Sequence, residues 1–262
     1  MFSLPKAEKL TFTGVYEPGV PNDPEHMYRG VGQKSMPSRR TTQPMVTGTS
    51  VLGIRFNGGV VIAADTLGSY GSSARFRSVE RVRRVGEWTM IGGGGDYSDF
   101  QYIHDLLEEY TLEDKLYDDG SEKHPSEIYN LMTRIMYQRR NKMSPLWNQL
   151  VVSGFCEGKG FLGLVDLHGT SYEDTTIATG YGDYIARPLL RKAYRDDLTQ
   201  EEAIKAVEDA MRVMFYRDAR TINKIQFAVA TAEGITISEP KELDTTWVYD
   251  DDRTGVLVDC SQ

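Results

Sequence analysis

Apolar positions along this chain follow two rhythms, and the switches between them mark out the elements. The runs Ser50 to Phe56 and Val60 to Asp65 flank Asn57-Gly58-Gly59. Asn-Gly between two apolar runs predicts a tight hairpin, because a type I′ turn needs positive φ at both central residues. A polar turn follows Asp65. Beyond it come a basic-apolar strand at Val79 to Val85, a break at Gly86, and a strand from Glu87 to Ile91 that runs into Gly92 to Gly95. The period then lengthens. Phe100, Ile103, Leu106, Leu107 and Tyr110 recur at helical spacing, as do Ile128, Leu131, Met132 and Ile135. Strands return at Leu150 to Cys156, Phe161 to Asp166 and Ser171 to Thr176. A short helix is expected around Ile185 to Leu190. Thr199-x-x-Glu202 is a capping box that opens a longer helix through Tyr216. A last hairpin covers Ile225 to Thr231 and Ile235 to Ser238. Strands, two helices, strands, two helices, strands is an order that predicts an α+β fold: two stacked antiparallel sheets flanked by helix layers, a four-layer αββα sandwich.

Composition adds limits. A chain of 262 residues can bury a full core in one large domain without metals or disulfides. Cys156 and Cys260 make no disulfide framework, which points to a reducing compartment. A net charge of −8 argues against sequence-independent binding to nucleic acid. No apolar stretch approaches the ~18 residues of a membrane span, and the N-terminus has no apolar signal core, so no membrane partner is expected. Residues 1 to 40 hold five of the ten prolines and few apolar runs, the profile of an extended pro-segment. His26, His104, His124 and His168 are scattered without metal-ligand spacing, and no metal or cofactor is expected. Gly92 to Gly95 lacks the Gly-Lys-Ser/Thr that would make it a phosphate cradle, and reads instead as a close backbone turn. The basic run Arg139-Arg140 with Lys142 suits a helix C-terminus or a subunit contact.

The candidate chemistry lies where the first hairpin closes. It brings the Thr49 hydroxyl and the Asp65 carboxylate to the same end of two paired strands, the geometry of a nucleophile and its electrostatic support. Cleavage of Gly48-Thr49 would give Thr49 a free α-amine with an unperturbed pKa of roughly 7.7 to 8.0, able to act as its own general base.

At these residues the sequence resembles the proteasome beta subunits. The resemblance is carried by Gly48-Thr49, GVVIAAD at 59 to 65, GGGGD at 92 to 96, ATGYG at 178 to 182 and YRDA at 216 to 219, in order over residues 41 to about 240. More narrowly, LGSYGS at 67 to 72, MYQRRNKMSPLWN at 136 to 148 and FYRDARTINKIQF at 215 to 227 resemble the non-catalytic member at the seventh ring position. The resemblance implies the N-terminal nucleophile hydrolase fold and residence in cytoplasm and nucleus. It also implies contacts with beta subunits of the same and opposite ring, with alpha-ring subunits and with assembly chaperones.

Residue by residue, the expected site is vestigial. Active members carry a lysine sixteen positions after the aspartate; here it is Arg81. A guanidinium keeps its proton at any accessible pH and cannot share it. The serine of a Gly-Ser-Gly step is replaced by Tyr181, whose phenol neither relays protons at neutral pH nor fits the volume of a serine, a steric block. Asp218 is kept, Thr221 stands where a serine is expected, and Gly95 falls at the backbone oxyanion donor. No catalytic residue is therefore expected, and the rival reading is an active threonine endopeptidase with Thr49 as nucleophile. Trimming is expected near Arg40-Thr41-Thr42, leaving residues 41 to 48 as a retained extension before a beta-type domain at 49 to 239. Residues 240 to 262, with Trp247, Tyr249 and Leu257, are expected to be an interaction tail reaching the opposite ring, because the last core hairpin leaves them no sheet position; the alternative is an arm that folds back on its own domain.

Overall fold

The computed structural model describes residues 43–117, 120, 122–251 and 256–259. Arg40, Thr41, Thr42 and Cys260 lie outside them. The first hairpin is β2 (Val51–Phe56) and β3 (Gly59–Asp65), paired from Phe56↔Gly59 to Val51↔Ala64. Every residue of β3 is buried, so its apolar run is continuous instead of alternating. The reason is cover on both faces. Val61 and Ala63 point into one core while Val60, Ile62 and Ala64 point into another.

One sheet runs β11 (Thr176–Ala178), β2, β3, β12 (Lys224–Thr231), β13 (Gly234–Ile237), with β14 (Lys241–Glu242) pairing the start of β12. The other runs β10 (Ser171–Glu173), β9 (Lys159–Val165), β8 (Asn148–Cys156), β7 (Thr89–Asp96), β1 (Val46–Gly48), β4 (Gly68–Tyr70), β5 (Ser73–Phe76), and β6 (Val82–Val85) also pairs β7. All described pairings in both sheets are antiparallel. The helices α1 (Tyr97–Tyr117) and α2 (Pro125–Asn141) cover the second sheet through Phe100, Ile103, Leu107, Ile128 and Met132. The first sheet is covered by α3 (Gly182–Ile185), α4 (Arg187–Ala193) and α5 (Gln200–Arg217), the last through Ala203, Val207, Ala210 and Met214. Val51, Ile62, Met90, Val151 and Leu162 fill the space between the sheets. The result is the expected four-layer αββα sandwich. The Thr199 capping box is also present: the Glu202 amide donates to Thr199 Oγ1 at 3.4 Å, and the Thr199 amide donates to Glu202 Oε2 at 3.1 Å.

Four local expectations are corrected. The segment Gly92 to Gly95 is the middle of β7, not a turn, and its glycines serve close packing: a Cβ on Gly93 would run into the Phe100 ring. The run from Ser171 to Thr176 is two strands in different sheets, broken at Asp174-Thr175. The polar turn after Asp65 contains β4 and β5, too short and polar to show a period of two. The tail does find a sheet position, because β14 pairs Lys224↔Glu242 and the Leu243 amide then bonds to Asn223 O at 2.7 Å. Leu243 is buried, and Trp247 packs on the Tyr216 and Phe215 rings at 5.0 and 6.1 Å between centroids. This part of the tail folds back on its own domain. Tyr249 and Leu257 lie in β15 (Val248–Asp251) and β16 (Val256–Asp259), which pair only with each other among the described residues.

Candidate functional site

The two sheets and the start of α3 converge on Thr49, immediately before β2. Residues 46 to 48 approach it as a strand set inside the sheet, between β4 and β7: Thr47 lies opposite both Ser69 and Asp96, and Gly48 opposite Gly95. The Met45 amide adds a bond to Asp96 Oδ1 at 3.1 Å. The residues before Thr49 are thus paired on both edges, a strand that alternation could not reveal because it is three residues long. Gly95 sits at φ 93°, where an added Cβ would strike the Trp147 carbonyl.

The sequence-predicted residues divide into two hydrogen-bonded groups. In the first, Thr49 Oγ1 donates to Asp218 Oδ2 at 2.6 Å. The same carboxylate oxygen accepts from Thr221 Oγ1 at 3.0 Å, and Asp218 Oδ1 accepts from the Arg220 amide at 3.0 Å. In the second, Asp65 and Arg81 form an ion pair with both side chains buried. Arg81 spends the rest of its fork on main-chain carbonyls: Nε to Asp65 O at 3.0 Å, Nη1 to Thr49 O at 2.8 Å and Gly93 O at 3.1 Å, and Nη2 to Ser50 O at 3.1 Å. Gly48 is glycine because the Arg81 stem lies where its Cβ would be. Burial pushes the Asp65 carboxyl above the ordinary aspartate range, while the Arg81 charge and the Ile222 amide pull it back down. None of these Arg81 hydrogen bonds reaches the Thr49 hydroxyl.

Tyr181 opens α3, is 64% exposed and stands at the rim of the cleft beside Thr49. The hydroxyls that do organise the interior were missed. Ser50 Oγ accepts from the Gly182 amide at 2.9 Å, and Thr179 Oγ1 accepts from the Val51 amide at 2.8 Å. Gln149 Oε1 accepts from the Gly180 amide at 2.8 Å, and Asn148 Nδ2 donates to the carbonyls of Gly94 and Asp96 at 3.1 and 2.8 Å. Ser50, Asn148 and Thr179 stood in segments the sequence marked out but were given no role there, and Gln149 carried no signal.

A cleft of about 470 Å³ opens beside Thr49, walled by Thr47, Gly94, Gly95, Trp147, Gln149, Leu167, Thr179, Tyr181 and Arg220 among others. Its lining holds no carboxylate, imidazole or thiol, so it offers no metal-ligand set. For acid–base chemistry it presents the Thr49 hydroxyl, hydrogen-bonded to the Asp218 carboxylate, while Arg81 is not part of its wall.

Two antiparallel sheets stacked between helix layers, with a threonine and two aspartates where the strands converge, define the N-terminal nucleophile hydrolase sandwich of the threonine type. The chain matches the model of the proteasome subunit family over residues 45–230, and it belongs to that family. Relatives agree. It is 48% identical over 212 residues to "Proteasome subunit beta type-4" of Arabidopsis thaliana, covering 81% of this chain and 86% of the relative. The protein of the same name in Dictyostelium discoideum is 51% identical over 210 residues, covering 79% and 81%. "Proteasome subunit beta type-7" of Saccharomyces cerevisiae is 41% identical over 231 residues, covering 84% and 87%.

Proposed function

We propose that this chain is a non-catalytic, structural beta subunit at the seventh ring position of the proteasome core particle. It helps enclose the chamber in which proteins, including ubiquitinated ones, are degraded. The observation that carries the reading is Arg81. A relay residue must exchange a proton, and this guanidinium is buried, ion-paired to Asp65 and donated to four main-chain carbonyls. Loss of general acid–base assistance typically costs roughly 100-fold to 10,000-fold in rate. The pairing of Val46–Gly48 on both edges supports retention of the segment before Thr49, since its release would unpair one strand and expose two.

On this reading the pro-segment is cut near Arg40-Thr41-Thr42, residues 41 to 48 stay attached, and 49 to 239 form the ring-building domain. The partners are beta subunits of the same and opposite rings, alpha-ring subunits and assembly chaperones, in cytoplasm and nucleus. One contact favours the rival, an active threonine endopeptidase: the 2.6 Å bond from Thr49 Oγ1 to Asp218 gives the hydroxyl a carboxylate acceptor. The α-amine that would serve as the base of such an enzyme is bound in the Gly48–Thr49 peptide for as long as residues 41 to 48 stay attached. The test is Thr49→Ala in assembled particles together with the intact mass of the mature chain. Unchanged hydrolysis of acidic, basic and apolar fluorogenic peptides and an N-terminus upstream of Thr49 are expected. Selective loss of one activity, or a mature chain beginning at Thr49, would establish the rival.

A further inference from the structure

His104, Asp105 and Glu108 lie together on α1, on the opposite side of the second sheet from the space between the sheets, outside the cleft beside Thr49. The His104 side chain is 8% exposed, enclosed between the helix and β6. Its Nε2 lies 3.1 Å from the carbonyl oxygen of Arg84. A carbonyl can only accept, so this contact puts the ring proton on Nε2 and leaves a lone pair on Nδ1. That nitrogen is buried and has no hydrogen-bond partner among the described residues. Such an atom costs free energy where it stands unless something occupies the lone pair.

Two carboxylates flank the ring, Asp105 nearest Nδ1 and Glu108 nearest Nε2. Asp105 Oδ1 lies 3.9 Å from Nδ1, Glu108 Oε1 lies 3.6 Å from Nε2, and one ligand atom from each of the three residues falls within 4.8 Å of the others. The nearby Arg84 guanidinium and the Lys115 ammonium are turned to Glu87, and neither is paired with this carboxylate pair. A neutral imidazole fixed by a carbonyl on its far nitrogen, beside two carboxylates, is the outer-shell arrangement that orients metal-binding histidines.

We propose that His104, Asp105 and Glu108 form a binding site for Zn²⁺, with Nδ1 as the nitrogen ligand. In a tetrahedral zinc site, Zn–N and Zn–O bonds of about 2.0 to 2.2 Å set ligand atoms about 3.4 Å apart. Asp105 therefore has to close by about 0.5 Å, and Glu108, nearest Nε2, has to swing toward Nδ1; the two side chains are 77% and 61% exposed and free to rotate. The nitrogen donor selects zinc over the hard cations Mg²⁺ and Ca²⁺, which prefer all-oxygen shells. Three protein ligands leave the fourth position to water.

The test is calorimetric titration of the full-length chain with ZnCl₂, repeated with MgCl₂. Wild type should bind one Zn²⁺ at micromolar concentrations and should not bind Mg²⁺ there. The paired substitution Asp105→Asn with Glu108→Gln changes exposed side chains only and should weaken zinc at least tenfold, with the melting temperature in chelator unchanged. His104→Gln should do the same to zinc, and Co²⁺ substituted into wild type should show a nitrogen-oxygen spectrum without thiolate charge transfer. Cys156 Sγ lies 3.1 Å from His124 Nδ1 and is the other conceivable soft pair, so Cys156→Ser serves as the control and should leave zinc affinity intact. Absence of zinc binding at 100 µM, affinity unmoved by the paired substitution, or affinity lost with Cys156→Ser would each overturn the assignment.

Discussion

Replacing Arg81 by methionine tests the claim that the residue which ends the chemistry also holds the fold. Methionine matches the aliphatic stem but removes the charge and every donor. The Asp65 carboxylate, 1% exposed, then stays buried with the Ile222 amide at 3.2 Å as its remaining hydrogen bond among those described, while four carbonyls lose a donor. Removing one partner of a buried ion pair costs about 3 to 5 kcal/mol. A protein of this size shifts its melting temperature by about 2 to 4 °C per kcal/mol, so a fall on the order of 6 to 20 °C is expected in a thermal scan of the purified chain. Two controls divide the cost. Arg81→Lys keeps a charge and loses the planar fork, and should cost about 1 to 3 kcal/mol. Asp65→Leu combined with Arg81→Met removes both charges and should recover part of the loss, because no unpaired ion remains. The pH dependence has a definite sign. Without Arg81, desolvation raises the folded-state pKa of Asp65 against the Ile222 amide alone, so the protonated carboxyl is favoured by folding. That contribution is fully present below the unfolded value near 3.8 and is lost as pH rises through the raised folded value. The gap between Arg81→Met and wild type should therefore narrow on acidification from pH 7 toward 4. A cost below about 1 kcal/mol, or a gap that widens in acid, would refute the role given to the pair.

Trp247→Ala should destabilise the chain by about 1 to 2 kcal/mol in denaturant titration, since its ring contacts with Tyr216 and Phe215 are worth about 0.5 to 1.5 kcal/mol each beyond area. Truncation after Glu239 should lower stability further by removing β14 and buried Leu243, and an unchanged transition would show the fold-back to be inert. Gly93→Ala should cost about 1 to 3 kcal/mol by driving a methyl into the Phe100 ring, whereas Gly58→Ala meets nothing and is limited to the strain of its positive φ. Burial pushes the Asp174 carboxyl up, but the Thr175 amide with Arg187 and Arg191 outweighs it and holds the group below its ordinary range. Its stabilisation is present above pH 3.8 and is lost as pH falls below that, so Asp174→Asn should flatten the acid limb of the stability profile.

Long elements were legible because their period is a direct image of their surroundings. The hairpin of β2 and β3 was plain from Asn57-Gly58 and its apolar arms, and α5 was plain from its capping box and its stripe of Ala203, Val207 and Ala210. Elements defined by their neighbours were not. Strands β1, β4 and β5 have three or four residues each, too few to display alternation, and their pairing depends on residues distant in sequence. Four consecutive glycines look like a turn locally. Only the proximity of Phe100, Val51 and the Trp147 carbonyl shows why β7 tolerates nothing larger there. Tyr181 illustrates the same gap: its identity was read correctly, but its direction is set by the start of α3, which turns the ring to solvent.

Strand β1 and Arg81 are parts of one arrangement. In the sheet order β7–β1–β4, residues Val46–Gly48 fill a slot between two strands that would otherwise present unpaired edges to whatever chain lay beside Thr49. An extended substrate pairing with those edges would have to displace that strand first. Arg81 reinforces the same segment from below, packing its stem on Gly48 and donating to the carbonyls of Thr49 and Ser50. A lysine could reach one of these acceptors at a time, while the planar fork reaches several at once from a fixed position. On the proposed function, the residue that carries no transferable proton thus also fastens the segment whose departure would expose the threonine amine. Arg81→Lys should accordingly loosen β1 before it restores any chemistry: faster amide exchange at Thr47 and Gly48 with peptide hydrolysis unchanged. Hydrolysis appearing without faster exchange would separate the two roles and show that the fastening is not what silences Thr49.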